Sequence, residues 1–249
     1  MKIILLICLF PLFVFGGGAI NFDGVDDYIL MPELFASDPT EFTLSIWAKV
    51  NDLSSMKQLF SYVDQGMTPL IRYNRVTSGD ISCYLPDGSA WITTSAYDTT
   101  NWLCLTFTGK ENNESSLYIN GNLIDSISTG DFHEIGKDGE GRIIGGSRNV
   151  PVAIANIFNG SIGEVMIYNK VLSPEEIKAI YASENAWYPK AGLVGCWSMG
   201  NNGNSTGQPH ANGSTIKDSF GSNNGITGDG SDNSMTLESS PTRTKRGRR

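Results

Sequence analysis

The chain has 249 residues, of which 18% are charged, with 28 glycines and only two histidines. That length can bury one substantial core, and so glycine-rich a composition argues against a helical bundle. The formal net charge is −8, and five of the 18 basic residues crowd into Thr242–Arg249; without those five and Lys2 the remainder stands at −14, which argues against nucleic acid, whose phosphates need clustered Lys and Arg.

Met1-Lys2 is followed by thirteen apolar residues, Ile3 to Phe15, and then by Gly16-Gly17-Gly18-Ala19. One basic residue, a short apolar stretch and small residues at its end predict a signal peptide over 1–19 and a secreted product. A membrane anchor needs ~20 apolar residues, so no spanning segment is expected. With Cys8 in the leader, Cys83, Cys104 and Cys196 remain. Cys83 and Cys104 fall in predicted strands, and two readings stay open: a Cys83–Cys104 disulfide, or buried unpaired thiols acting as small apolar side chains. No cysteine or histidine has metal-ligand spacing.

Ile20–Ile29 opens the mature chain. Phe42, Leu44, Ile46 and Ala48 alternate with Thr43, Ser45, Trp47 and Lys49, as in a strand buried on one side. Gln58–Val63, Leu70–Tyr73, Ile81–Leu85, Trp91–Ser95 and Trp102–Phe107 read as further short strands between turn-forming residues. Leu117–Ile124 is a hairpin around Asn120-Gly121, a pair that readily takes the positive φ angles of a tight turn. Arg142–Gly146 begins another strand, and Gly163–Asn169 puts Val165 and Ile167 on one face and Glu164, Met166 and Tyr168 on the other. Ser173, Pro174 and Glu176 spell a capping box with proline at the first helical position, predicting a short helix over 173–182.

Ile20-Asn21-Phe22-Asp23-Gly24-Val25-Asp26-Asp27-Tyr28-Ile29 at one end and Phe158–Ile177 at the other, with 42–49, 101–107, 117–121 and 143–147 between them in order, resemble the laminin G-like, concanavalin A-like jelly-roll family. The resemblance covers about residues 19–182 and implies an all-β fold: a two-sheet antiparallel jelly-roll β-sandwich with one short helix. Ala191–Met199 and Thr215–Gly225 resemble the opening of the same family's domain, which normally precedes the Asn-Phe-Asp-Gly stretch. Two arrangements answer to this. In a circularly permuted single domain over 20–240, Leu193–Met199 returns antiparallel beside Gly163–Asn169. Otherwise residues 191–240 are a truncated second repeat. Residues 241–249 read as a disordered basic tail.

Catalytic patterns are sparse. The glucanase relatives of this fold carry Glu-x-Asp-x-x-Glu on one strand, but here Val165, Met166 and Ile167 follow Glu164. No second acid stands where glycoside hydrolysis needs one. No nucleophile elbow or phosphate loop accompanies His133 or His210. The resemblance implies a calcium ion, for which hard oxygen donors are needed. Asp218, Asn223, Asn224 and Glu164 are one candidate set; Asp23 and Asp26, with Asp27, are the other. For sugar stacking, Trp91 beside Asp87 is the best-placed aromatic, with Tyr73, Tyr84 and Tyr97 as alternates. The expected function is a secreted, non-catalytic carbohydrate-binding or adhesion module. The alternative is a structural or interaction protein of a cell surface or virion appendage that binds protein partners; a β-glucanase-type glycosidase ranks last.

Overall fold

The computed structural model describes residues 18–35, 39–62, 70–85, 89–95, 97, 101–132, 142–149, 153–182, 188–199, 215–228 and 236–238. Residues 1–17 of the expected leader, Asp87, His133, His210 and the basic tail lie outside them.

Two eight-stranded antiparallel sheets face each other. The first runs β10 (Asn122–Ser128), β9 (Glu114–Ile119), β8 (Leu103–Lys110), β3 (Glu41–Val50), β14 (Asn159–Tyr168), β1 (Ala19–Asp23) and β18 (Thr236–Glu238), and β15 (Leu193–Trp197) also pairs with β14. The second runs β16 (Thr215–Ile216), β17 (Gly225–Gly228), β2 (Tyr28–Met31), β11 (Arg142–Ile144), β4 (Lys57–Tyr62), β5 (Leu70–Tyr73), β6 (Ile81–Tyr84) and β7 (Trp91–Thr93). A small hairpin of β12 (Ser147–Asn149) and β13 (Ala153–Ala155), and one helix, α1 (Pro174–Ala182), complete the described elements.

Two strands from distant parts of the chain lie end to end along one edge of β14. β1 pairs with its first half, Ile20 opposite Ile162, and β15 with its second, Val165 opposite Trp197. The expected antiparallel return of the 193–199 segment beside 163–169 is therefore what forms. β16 and β17 add to the second sheet through β2, and β18 adds to the first through β1, so the segment after 190 contributes to both layers.

The space between the sheets is filled by Ile46, Leu105, Phe107, Val165 and Trp197 from one side and Ile71, Tyr73, Ile81, Cys83 and Ile92 from the other, all buried. Strand alternation alone predicts that the other face of β3 meets solvent. It does not: Thr43, Ser45 and Trp47 are as buried as their inward neighbours. The cause is α1, whose Ile177 and Ile180 pack with Trp47, Cys104, Tyr118, Met166 and Tyr168 in a second apolar layer outside the first sheet. The helix starts as its capping box requires. The Glu176 N–H donates to Ser173 Oγ at 3.2 Å, and the Ser173 N–H donates back to Glu176 Oε2 at 2.8 Å. The Asn120-Gly121 turn, with φ of 53° and 75°, lies against this helix; a Cβ on Gly121 would come 3.1 Å from the Lys178 Cα. Among the described residues no helix is long and apolar enough to cross a membrane.

Candidate functional site

Among the described residues, no helix covers the outer face of the second sheet at its β5–β7 end. Ile71 and Tyr73 in β5, Ile81 and Cys83 in β6 and Ile92 in β7 all point into the core. The two-residue period of a strand then turns Arg72, Ser82, Tyr84, Trp91 and Thr93 to the opposite face. The register brings them together: Arg72 is opposite Ser82, Ser82 opposite Thr93, and Tyr84 opposite Trp91. The Tyr84 and Trp91 rings sit 4.5 Å apart between centroids, and the Ser82 and Thr93 hydroxyls are 3.1 Å apart.

Two guanidinium groups cover the indole. The Arg72 Cζ is 3.7 Å from the ring centre of Trp91, and that of Arg75 is 4.4 Å from it. Both distances are well inside the range of cation–π attraction. Arg72 is half-buried and Arg75 exposed. Burial first, and then the charge of Arg75, lower the Arg72 pKa to about 10, so that it stays protonated at neutral pH.

Arg75 is presented by a turn that Asp80 organises. The Asp80 carboxylate, fully buried, accepts the backbone N–H groups of Arg75 and Val76 at 2.7 Å each and of Thr77 at 3.0 Å. Asn74, in the left-handed region at φ 59°, closes the other side by accepting the Gly79 N–H at 2.6 Å and donating to the carbonyls of Leu53 and Ser55. Tyr97, half-buried against the core, ties its N–H to the Gly79 carbonyl at 2.9 Å. The carboxylate of Asp80 thus faces main-chain donors rather than the arginine side chains.

Of the aromatic residues expected at a sugar rim, Tyr84 and Trp91 do meet on one face. Tyr73 does not belong there: it is fully buried, its ring packed near Phe158 at 6.2 Å, because its place in β5 points inward. Burial pushes its hydroxyl well above the usual tyrosine range. Asp87 lies outside the described residues. Sequence reasoning overlooked Arg72, Arg75 and Asp80. Their signal was present in Ile71-Arg72-Tyr73, a cation between two core positions, and in Asn74…Asp80, two turn-forming side chains bracketing a loop.

The proposed calcium residues separate into two places. Asp218 sits between strands as a clip, Oδ1 accepting the N–H groups of Cys196 at 3.0 Å and Phe220 at 2.9 Å, and Oδ2 that of Asn223 at 3.2 Å. Asn224 accepts the Asp218 N–H, and Asn223 donates to the Val194 carbonyl while its own carbonyl accepts the Trp197 indole N–H at 2.7 Å. These oxygens are already turned to donors, which is a poor fit to a cation. Glu164 does approach, but Cys196 stands between: its Sγ is 3.8 Å from Glu164 Oε1. Burial, with the Glu164 charge, pushes the Cys196 thiol up to about 12. Asp23, Asp26 and Asp27 are a better donor set, their carboxylate oxygens all within 4.8 Å of one another in the β1–β2 turn. That spacing accommodates calcium–oxygen bonds of about 2.3–2.6 Å. Part of this set also serves its own turn, since Val25 donates to Asp23 Oδ1 and Asp23 to Asp27 Oδ2, each at 2.7 Å.

The Cys83–Cys104 pairing is corrected. Neither is in a disulfide; Cys83 points into the core between the sheets, and Cys104 belongs to the layer under α1 on the far side of the first sheet. A bridge would have to pass through a sheet.

The description "Concanavalin A-like lectin/glucanases superfamily" matches residues 23–178. The chain belongs to this superfamily. Among solved structures, a carbohydrate-binding protein, so described provisionally, from Bacteroides ovatus is similar at 17% identity and a TM-score of 0.68, over 90% of this chain and 60% of that one. A heptameric serum-amyloid-P-like pentraxin from Limulus polyphemus is similar at 12% identity and a TM-score of 0.62, over 92% and 98% of the two chains. The chain thus spans about 60% of the length of the Bacteroides protein. At these identities the likeness shows the jelly-roll fold alone. No curated protein sequence matches the chain. In the terms of this superfamily, the concanavalin A-like sandwich here turns one outer face to a helix and leaves an aromatic, hydroxyl and guanidinium cluster on the other.

Proposed function

We propose that the protein is a secreted, non-catalytic carbohydrate-binding module whose glycan surface is the outer face of β5–β7. The observation that carries this reading is the half-buried cluster of Arg72, Tyr84, Trp91 and Thr93, set over the buried Ser82 on a face that no helix covers among the described residues. Hydroxyls and guanidinium donors suit the ring and exocyclic oxygens of a sugar, and half-buried aromatic edges supply apolar contact. Its rigidity supports the role too, because the Asp80-held turn sets Arg75 before any ligand arrives, so less ordering is lost on binding. Superfamily membership is consistent with binding but does not by itself assign it. The acid expected of a glucanase, Glu164, lies on the outside of the first sheet beside Cys196, remote in topology from β5–β7.

The reading includes one structural calcium at Asp23, Asp26 and Asp27, where an ion would brace the β1–β2 turn; it takes no part in sugar contact. Secretion enters this reading only through the leader-like pattern of Met1–Phe15. A glycan array with the purified mature chain tests the main point: binding to at least one glycan class is expected, and it should be lost in Tyr84→Ala with the fold intact by circular dichroism. An array without any binding at micromolar protein would overturn it.

A further inference from the structure

We infer that Arg72 and Arg75, seated on Trp91, form an anion-reading pair, and that the glycan taken at this face carries carboxylate or sulfate groups. This rests on the glycan reading of the same face and names its ligand class. Three observations lead there. First, the indole is already occupied. With one guanidinium carbon 3.7 Å and another 4.4 Å from its centre, and Tyr84 at 4.5 Å, Trp91 has little open face left for a pyranose to stack on. The ring acts instead as a platform that holds cations.

Second, neither cation is met by a carboxylate in direct contact. The Asp80 charge acts on Arg72 through space, but among the described residues no carboxylate bonds to either guanidinium; Arg72 Nε is buried with no acceptor there, and the side-chain polar contact of Arg72 is Nη1 to Met56 Sδ at 3.2 Å. Asp80, the acid at this turn, spends its oxygens on three backbone N–H groups. Two like charges held against one ring repel each other, and after burial this repulsion is the next cause that lowers the Arg72 pKa. An anion placed between their outer edges relieves that repulsion and meets planar, forked donors that match carboxylate and sulfate oxygens.

Third, this pair runs against the balance of the chain. In a protein of net charge −8, two adjacent arginines without a direct ion pair among the described residues oppose the general field. Long-range steering will not favour an anionic ligand, so the attraction has to be short-ranged and geometric. A neutral sugar can accept from these donors but leaves their charge uncompensated.

Dextran and dextran sulfate share a backbone and differ in charge, so they make the test direct. Polygalacturonate supplies carboxylate without sulfate, and polyglutamate supplies carboxylate without sugar. By titration calorimetry at low salt, the mature protein should bind dextran sulfate or polygalacturonate about tenfold or more tightly than dextran, and binding should weaken as sodium chloride rises. Carboxymethyl dextran and dextran sulfate of equal substitution, which share one backbone, tell carboxylate from sulfate. Arg72→Gln/Arg75→Gln should remove that preference while its melting curve stays cooperative; Arg72→Lys/Arg75→Lys should keep part of it, since charge remains but the fork is lost. Equal binding of dextran and both charged polysaccharides, unchanged in the glutamine variant, would overturn the anion inference and leave the glycan reading standing. Polyglutamate binding as tight as polygalacturonate would overturn the sugar half. Silence toward every polysaccharide would sink both.

Discussion

On the outside of the first sheet, Trp47 stacks on Tyr181 of α1 at 5.8 Å and 20° between planes; on the outside of the second, Trp91 lies against Arg72 and Arg75. The two tryptophans occupy the same kind of position, an outward point in a strand whose neighbours face the core. What differs is the cover. Over the first sheet the chain leaves β14, crosses by a strap that ties Leu172 N–H and the Lys170 carbonyl to Thr43 Oγ1, and lays down an amphipathic helix. Over β5–β7 it sends a tight polar turn instead. An outward aromatic in such a sandwich is therefore structural where an apolar element returns over it, and available for recognition where the nearest companions are charged.

That contrast can be broken at its strongest point by two truncations. Trp47→Ala should cost about 3–5 kcal/mol, as for a buried aromatic, whereas Trp91→Ala should cost only about 1 kcal/mol, the scale of a half-exposed cation–π cluster. Urea unfolding measures both, and glycan titration should reverse the order, with Trp91→Ala losing binding and Trp47→Ala keeping it as long as it folds. Equal costs would mean that the β5–β7 face is covered after all. Next in size, Asp80→Ala leaves three backbone N–H groups without their acceptor and should cost about 1–3 kcal/mol, with a matching loss of affinity as Arg75 loses its fixed turn. Asp80→Asn, which keeps one oxygen, should lie between.

Calcium sharpens the contrast from a third place, the β1–β2 turn. With free calcium about tenfold above its dissociation constant, the added stability should be about 1.4 kcal/mol, read as a rise in melting temperature that chelator reverses and Asp26→Asn abolishes. A melting curve indifferent to calcium would dismiss the ion. The smallest effect belongs to the helix cap, where Ser173→Ala should cost about 1 kcal/mol. Its partner Glu176 adds a pH signature. Burial works against the charged carboxylate, but the bonds from Lys170 and the Ser173 N–H prevail and hold it below its usual 4.5. A lowered carboxylate pKa means stability that is present above that value and drains away as pH falls through the folded one. Glu41, held down first by its bond to Lys110, adds to the same slope. Urea midpoints taken downward from pH 5 should fall less steeply in Glu176→Gln than in the parent.

Much of the architecture was legible in the chain because its signals are local. Period-two alternation marked β3, β8 and β14, Asn120-Gly121 marked a hairpin, and Ser173-Pro174-Glu175-Glu176 marked a helix start; each depends on residues a few positions apart. The expected return of the 193–199 segment came from the family resemblance, in which Ala191–Met199 looks like a domain's opening strand. The candidate site was half legible. Tyr84 and Trp91 could be named, but their use as a cation platform could not, because Arg72, Arg75 and Trp91 are joined only by the register of β5, β6 and β7.

By itself, then, the order of residues determined a run of β-strands and one capped helix, since backbone propensity and hydrophobic period act along the chain; the two-sheet sandwich came from the family resemblance. Folding in three dimensions decided which outward aromatics are covered, that Tyr73 faces the core, that Cys83 and Cys104 stay apart, and that Asp80 holds a turn rather than pairing with an arginine. Those outcomes depend on which elements cross over which faces, and burial of a side chain is a property of its neighbours in space rather than of its neighbours in sequence.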